Sequence, residues 1–179
     1  MNFRALKSIL LLAGFVVGGS AVADDIFLKL SGIAGDSTDD RHRGEIVLKS
    51  YSQAVSNSST GGAGGVGTGA TTCGAIVLTK NLDSSSPTLI RNVVLSTMIR
   101  DGLITFRKSG GEQLEYYTVQ LVGIAVNSVE QADASGGGVV EVIKLRARQF
   151  TYTFRPQRPD GSLGPPQTFG FDCVSNQRL

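Results

Sequence analysis

Histidine, tryptophan and cysteine are scarce in this sequence, whose 179 residues include one histidine, no tryptophan and two cysteines. Because His42 is the only histidine, a Ser-His-Asp triad would have to use this residue, and a metal site with several histidine ligands cannot form. Glu112 and Glu115 do not form an acid-base pair in its place, because residues three apart on a predicted strand point to opposite faces. The sequence therefore predicts a protein that is not an enzyme, with no catalytic residues, no metal site and no cofactor.

An excess of one charge is also lacking. The formal net charge is +2, and Arg4 and Lys7 account for it, since residues 24–179 keep 17 − 2 = 15 basic side chains against 15 acidic ones. A balanced surface lacks the electrostatic attraction that draws proteins to nucleic acid or to anionic membranes. We therefore expect neither as a partner.

The apolar stretch near the amino terminus is short. Residues 8–17 follow two basic residues and fall below the roughly 20 residues that span a bilayer, and Ala21-Val22-Ala23 has the small-x-small pattern of a cleavage site. The pattern predicts a signal peptide at residues 1–23, and the alternative is an uncleaved anchor. Cleavage leaves 179 − 23 = 156 residues, 24–179, as one exported domain, periplasmic or secreted to the extracellular medium, with no membrane segment.

Cys73 and Cys173 are the only cysteines, and both lie in the predicted exported domain. An even count in an oxidising compartment predicts a disulfide. The alternatives are two separate buried thiols, or bridges between subunits.

Acidic residues cluster with the single histidine in residues 35–45. The oxygen-rich side chains are Asp36, Asp39, Asp40 and Glu45, together with His42. Because the regular spacing and central glycine of a calcium loop are missing, a metal site is the weaker interpretation. We expect a turn in which aspartates accept backbone hydrogen bonds and pair with Arg41 or Arg43.

Most of residues 24–179 shows the two-residue period of β-strands, which predicts a mainly β protein. The clearest segments are residues 46–51, 76–79, 103–108, 114–126 and 139–154. In the last of these, Ile143 and Leu145 have one phase and Phe150 and Tyr152 the other, which predicts a one-residue bulge near Gln149. The alternative is two short strands separated by a kink.

One amphipathic helix interrupts the strands. Ser86 is a candidate cap and Pro87 suits the first turn, with Gly102 shortly after the end. The apolar residues at three-to-four spacing, which predict a buried face, are Leu89, Ile90, Val93, Val94 and Met98. Two loops stand out by composition: residues 56–72, rich in glycine and serine and expected to be flexible, and the proline-rich residues 155–167, expected to be extended and stiff.

Four segments resemble the Hcp family, the haemolysin-coregulated proteins of type VI secretion. They are DIFLKLSGIAGDSTDDRHRGEIVLKSYS, LTKNLDSSSPTLI, SGGEQLEYYTVQLVGIAVNSV and FTYTFRPQRPDGSLGPPQTFGFD, and the most specific pieces are GDSTD at 35–39 and GGEQLEY at 110–116. The resemblance implies a small closed antiparallel β-barrel with one flanking α-helix over residues 24–179. It also implies six-membered rings that stack into the inner tube of the secretion machine, and a role as a carrier for effector cargo.

The function predicted from this resemblance is that of a non-enzymatic, ring-forming tube subunit whose partners are copies of itself, type VI secretion components and effector cargo. The predicted signal peptide and cysteine pair also suggest an alternative. In that alternative the chain is a Sec-exported binding or surface module that does not build the tube.

Overall fold

The computed structural model describes residues 24–58, 61–62, 65–66, 69–109, 112–133 and 136–179. The predicted signal peptide at residues 1–23 lies outside the described residues. Within them the chain forms one helix, α1 Ser86–Val94, and ten strands. The strands are β1 Asp25–Leu30, β2 Ile46–Asn57, β3 Gly61–Gly62, β4 Gly65–Val66, β5 Thr71–Asn81, β6 Ile99–Arg107, β7 Glu115–Asp133, β8 Val139–Phe154, β9 Gln167–Asp172 and β10 Gln177–Arg178.

Six of these strands close a barrel. Antiparallel ladders run in the order β8-β5-β2-β1-β6-β7, and β7 pairs back onto β8. β9 extends outward from β8 and β10 from β9, whereas β3 and β4 form a separate two-stranded sheet. The predicted mainly β fold, a closed antiparallel barrel with one flanking helix, is therefore confirmed.

The barrel interior is filled by branched aliphatic side chains. Those with at most 1% exposure are Leu28, Ile46, Ile76, Leu78, Leu89, Ile104, Val119, Leu121, Ile124, Ile143 and Leu145. They come from all six barrel strands and from α1, and full burial of each contributes roughly 1.5–3 kcal/mol. The alternation seen in the sequence thus encodes one continuous core.

The helix is shorter than the sequence pattern predicts, and its buried face is different. α1 begins at Ser86 with Ser85 at the capping position, so Ser86 is not the cap and Pro87 is the second helical residue. Leu89 and Asn92 are buried, but Ile90 and Val94 are exposed. Because neighbouring residues on a helix differ by about 100°, the stripe through Ile90 and Val94 lies one position away from the buried one.

The chain after α1 differs from prediction as well. Met98 lies beyond the helix and is 58% exposed. Ser96, at φ 51°, turns the chain out of the helix, and the Thr97 amide donates to the Asn92 carbonyl oxygen. Gly102 is not a terminator: it lies inside β6, where an added Cβ would come within 2.8 Å of the Leu30 side chain.

The predicted bulge near Gln149 is wrong. β7 and β8 keep one register through this level, with Val122 opposite Gln149 and Ile124 opposite Ala147. The buried phase nevertheless reverses in both strands at the same height, between Leu145 and Phe150 in β8 and at Gly123 in β7. Gly123 has φ +65°, a conformation that side chains disfavour, so the kink is taken up by the partner strand instead of by an extra residue.

The glycine-rich loop, residues 56–72, and the proline-rich loop, residues 155–167, are both more structured than predicted. Ser56 pairs with Thr72 and Asn57 with Thr71, so the ends of the glycine-rich segment belong to β2 and β5. In the proline-rich segment, a bridge between Gln157 and Leu163 folds the chain back on itself, so it is not extended.

Candidate functional site: two contacting motifs, a C-terminal disulfide and open strand edges

The acidic segment 35–45 and the segment that leads into β7 meet in space. Residues 35–45 fold over the outer face of β1 and β6, and the segment before β7 lies beside them. Arg41 Nη1 donates to the Gln113 carbonyl oxygen at 3.2 Å, and His42 Nε2 lies 3.6 Å from Glu115 Oε1. The sequence separates these pieces by about 70 residues, but the barrel makes them one contact.

Asp39 and Arg107 form the charged centre of this contact. Arg107, 3% exposed, lies 2.7 Å from Asp39 and 2.9 Å from Asp25. The Arg107 hydrogen bond, opposed by burial and assisted by the Arg41 and His42 amides, lowers the pKa of Asp39 to about 2. Asp39 therefore accepts backbone hydrogen bonds as predicted, but its cationic partner is Arg107, not Arg41 or Arg43.

The single histidine is a packing residue. His42 is buried and stacks on Phe27 at a centroid distance of 4.1 Å, and its Nδ1 lies 3.0 Å from Glu45 Oε2. Arg107 lies over the same Phe27 ring at 4.8 Å. This layer explains why Thr105 and Arg107, which the strand alternation places on the outer face of β6, are both buried.

The remaining acidic candidates do not converge. Asp36 accepts the Ser84 amide at 3.1 Å, and hydrogen bonding from Ser84 lowers the pKa of Asp36. Asp40 pairs only loosely with Arg43, at 3.6 Å, and both are largely exposed. Glu112 lies before β7 and is exposed, whereas Glu115 opens that strand, so the predicted strand around Glu112 begins later than expected.

A buried ionic cluster, which the sequence analysis missed, fastens α1 to the barrel. Lys80 and Glu141 are opposite each other in the β5–β8 ladder, are fully buried and form an ion pair at 2.5 Å. Lys80 also contacts Asp83 at 2.6 Å and the Ser86 hydroxyl at 2.8 Å. The cluster joins two strands to the first residue of the helix.

Burial alone would raise the pKa of Glu141. Hydrogen bonds from Lys80, Ser86 and Gln131 outweigh that effect and hold the pKa below its ordinary value. A usable sequence signal existed, because Lys80 continues the inward phase of Ile76 and Leu78. Glu141 likewise continues that of Ile143 and Leu145.

Cys73 and Cys173 form one disulfide within the chain, with a Cα–Cα distance of 6.0 Å. Cys73 lies in β5 and Cys173 directly follows β9, so the bond ties the outermost part of the sheet to the barrel. Asn176 reinforces this tie, because its side chain exchanges hydrogen bonds with the backbone of Thr71 at 3.4 and 3.0 Å. Of the arrangements weighed from the sequence, the structure thus has the internal bridge.

Two strand edges are left without a neighbour among the described residues. β1 pairs with β2 only at Ile46, Val47 and Leu48, so from Ser50 to Ser56 the β2 edge that faces away from β5 has no strand neighbour among the described residues. β10 covers β9 only at Phe171 and Asp172. Open edges of this kind are the usual place for strand pairing with another chain.

Other kinds of site have little support in the described part of the chain. No group of three or more potential metal ligands occurs there. No helix in that part is both long and apolar enough to cross a membrane. The geometry defines a class, a closed antiparallel β-barrel with one flanking helix.

Comparison with known proteins identifies the family. A sequence profile described as type VI secretion system effector, Hcp, matches residues 27–154. The protein hcp1 of Pseudomonas aeruginosa is 31% identical over 159 residues, which cover 87% of this chain and 98% of that protein. The chain belongs to the Hcp family of type VI secretion.

Solved structures agree with the fold. A type six secretion system protein superposes with a TM-score of 0.82 at 24% identity, covering 88% of this chain and all of the other. Hcp1 from Salmonella typhimurium gives a TM-score of 0.73, also at 24% identity, over 88% of this chain and 99% of that one. At this identity the likeness concerns the fold, and family membership rests on the sequence matches.

Membership of the Hcp family indicates the general function of the chain. The chain is a structural tube-family component of type VI secretion, and it belongs among the exported proteins of that system. The alternative of a binding or surface module outside type VI secretion is not favoured.

Proposed function

We propose that this chain is a non-enzymatic, ring-forming subunit, a hexamer that stacks into the type VI tube and carries effector cargo through it. The observation that carries the proposal is family membership combined with an open strand edge on the described barrel. A head-to-tail contact that closes on itself gives a ring, and an unpaired edge offers such a contact.

The open edge of β2 is the part best suited to the contact between neighbouring subunits. From Ala54 to Ser56 the strand is exposed, and Val55, which is 49% exposed, pairs with Cys73 directly after a register shift in the β2–β5 ladder. The disulfide holds Cys73 in place, so this edge is stiff where it is unpaired. A stiff edge loses less conformational entropy on association than a mobile one.

We further propose that residues 1–23 are removed after Ala23 and that the remaining domain, 24–179, is oxidised outside the cytoplasm. The contacts of Asp24 and Asp25 support this proposal. Asp24 accepts hydrogen bonds from the Tyr116 hydroxyl at 2.6 Å and from Lys108 at 3.3 Å, and the ladder with β6 begins at Asp25. Cleavage after Ala23 would leave these contacts of Asp24 and Asp25 intact.

The ring proposal is tested by replacing Val55 with lysine. Lysine on an open edge blocks strand pairing because its charge would be buried between chains. Val47→Lys is the matched control: Val47 lies on the same strand with 50% exposure, but β1 covers its edge. The assembly state is measured by native mass spectrometry and negative-stain electron microscopy.

We expect rings from the wild type and from Val47→Lys, and folded monomers from Val55→Lys. Rings from all three proteins would show that β2 is not the contact, while leaving ring formation intact. A wild-type protein that stays monomeric at high concentration would contradict the ring itself.

A further inference from the structure

The sheet divides at the middle of β8. β5 pairs with β8 as far as Ile76 opposite Leu145, and β9 takes over at Gln149 opposite Asp172. Neither strand pairs with residues 146–148 on that side of β8. A cavity of about 470 Å³ lies at this division.

The disulfide and small residues shape the cavity. Cys73 and Cys173 close the space between the two diverging strands, because Cys173 also donates its amide to the Arg148 carbonyl oxygen at 2.8 Å. Gly123 and Ala125 contribute no long side chains to the lining. A Cβ at Gly123 would come within 3.1 Å of the Arg148 Cβ, so the glycine leaves room for the arginine stem. The result is a hollow, open to the surface, that is framed by the disulfide and two strands.

Two arginines line this hollow with little compensating charge. Arg146 and Arg148 are two apart on β8, both exposed. Among the described residues Arg146 has no carboxylate within ion-pair distance, whereas its neighbour Lys144 is paired with Glu130 at 2.8 Å.

Arg148 is only weakly compensated. Its Nε lies 3.4 Å from Asp172, which already accepts hydrogen bonds from the Val174 and Ser175 amides and from Gln149. The hollow is therefore lined by Arg146, which has no ion-pair partner among the described residues, and by Arg148, whose Nε donates one long hydrogen bond to Asp172.

We propose that this cavity, between β5, β8 and β9, binds an extended acidic peptide segment of a partner protein, with carboxylates on Arg146 and Arg148. Alternate residues of a strand lie roughly 6.6 Å apart on one face, so a Glu-x-Glu sequence in extended form matches the arginine spacing. Guanidinium and carboxylate groups form paired, charge-assisted hydrogen bonds. Met98 at the rim adds an adaptable apolar contact for the intervening side chain.

A peptide fits this lining better than a nucleic acid strand does. Single-stranded nucleic acid is bound through aromatic side chains that stack on bases, and the lining contains none. Residues 24–179 also carry equal numbers of basic and acidic side chains, so no wider positive surface would hold a phosphate backbone. None of the lining residues belongs to β2, although Thr71, Thr72 and Cys73 pair with that strand from the β5 side.

The probe is a fluorescein-labelled nine-residue peptide, Gly-Ser-Val-Glu-Val-Glu-Val-Ser-Gly, with a second peptide in which both glutamates are glutamine. Binding to the purified protein is followed by fluorescence anisotropy at low and at physiological salt. The variants are Arg146→Gln and Arg148→Gln. Lys144→Gln is the matched control, since Lys144 shares the strand and the face but does not line the cavity.

We expect the glutamate peptide to bind and the glutamine peptide to bind on the order of 10-fold more weakly. Arg146→Gln and Arg148→Gln should each weaken binding by a similar factor, and Lys144→Gln should leave it unchanged. Circular dichroism spectra that match the wild type would show that the variants fold.

Three outcomes would overturn the proposal. Equal binding of the two peptides would remove the role of the carboxylates, and equal loss with Lys144→Gln would reduce the effect to general surface charge. Tighter binding of a single-stranded DNA oligonucleotide of the same net charge would assign the site to a different class of ligand.

Discussion

At the scale of single residues, Glu141 is the side chain whose loss should matter most for stability. It is fully buried, paired with Lys80 and bonded to Ser86 and Gln131. Without Glu141 the buried Lys80 keeps only Asp83 as an ion-pair partner among the described residues, and removing one member of a buried ion pair costs about 3–5 kcal/mol. Glu141→Gln should therefore lower the free energy of unfolding by about that amount in urea denaturation.

Glu130→Gln is the control for this prediction. Glu130 is on the neighbouring strand and pairs with Lys144, but both side chains are largely exposed, so the change should cost at most about 1 kcal/mol. Similar losses in the two variants would mean that the buried cluster does not fasten α1 to the barrel.

Asp39 should make the free energy of unfolding depend on pH in the acidic range. Its pKa is lowered to about 2 in the folded state, mainly by Arg107, and a lowered carboxyl pKa stabilises the fold only while the group is ionised. That contribution is complete above the unfolded pKa of about 3.9 and disappears as the pH falls through about 2.

The test compares Asp39→Asn with the wild type in denaturant titrations from about pH 6 to pH 2. The wild type should be the more stable protein at the upper end, and the difference should shrink as the pH falls. Asp40→Asn should show no such trend, because Asp40 is almost fully exposed and 3.6 Å from Arg43. A constant difference for Asp39→Asn would contradict the ion pair.

At the scale of elements, the disulfide should decide how firmly β9 is held. The bond joins residues 100 apart in sequence, and the chain-entropy model assigns a loop of about 100 residues roughly 4.7 kcal/mol, within a usual range of about 2–5 kcal/mol. Beyond β8, β9 has only the short β10 as a strand neighbour. Changing Cys73 and Cys173 together to serine should lower the melting temperature and speed amide exchange first in β9.

Reduction provides the control for the disulfide. Dithiothreitol should lower the stability of the wild type to that of the double serine variant and leave the variant unchanged. An unchanged melting temperature in the double variant would contradict a stabilising internal bridge.

The same elements show how much of the fold could be predicted from sequence. The strand period indicates five of the six barrel strands, all except β1, because most inward positions, such as Ile76, Leu78 and Ile104, are aliphatic. The bulge predicted near Gln149 is wrong, because the sequence of β8 shows its own phase change but not the cause of that change. Its cause, Gly123 at positive φ, lies in the partner. A single strand cannot show whether its neighbour bends with it.

The candidate site was predictable to a lesser degree. Two cysteines permit only one internal pairing, so the disulfide followed from their number. The partner of Asp39 did not follow, because Arg107 is 68 residues away and only the closed barrel brings it near. Local charge pairing with Arg41 or Arg43 was the natural expectation, and the tertiary contact replaced it.

At the scale of the whole molecule, export and oxidation should be linked. A protein processed after Ala23 outside the cytoplasm meets an oxidising environment, whereas an unprocessed chain inside the cell keeps its thiols. Intact mass of the protein from cell fractions should therefore give two species. One species is full length and reduced. The other lacks residues 1–23, and its mass is lower than that of the reduced 24–179 chain by the two hydrogens lost when the cysteines form a disulfide.

Substitution at the cleavage site separates this prediction from chance proteolysis. Ala21→Lys removes the small residue three positions before the cut and should leave the chain at full length, while Ala5→Lys adds a positive charge in the basic region and should be processed normally. A full-length, reduced protein as the sole species in the wild type would contradict the signal peptide. Because family membership rests on residues 27–154, that result would leave the tube-family assignment in place and return its assembly to the cytoplasm.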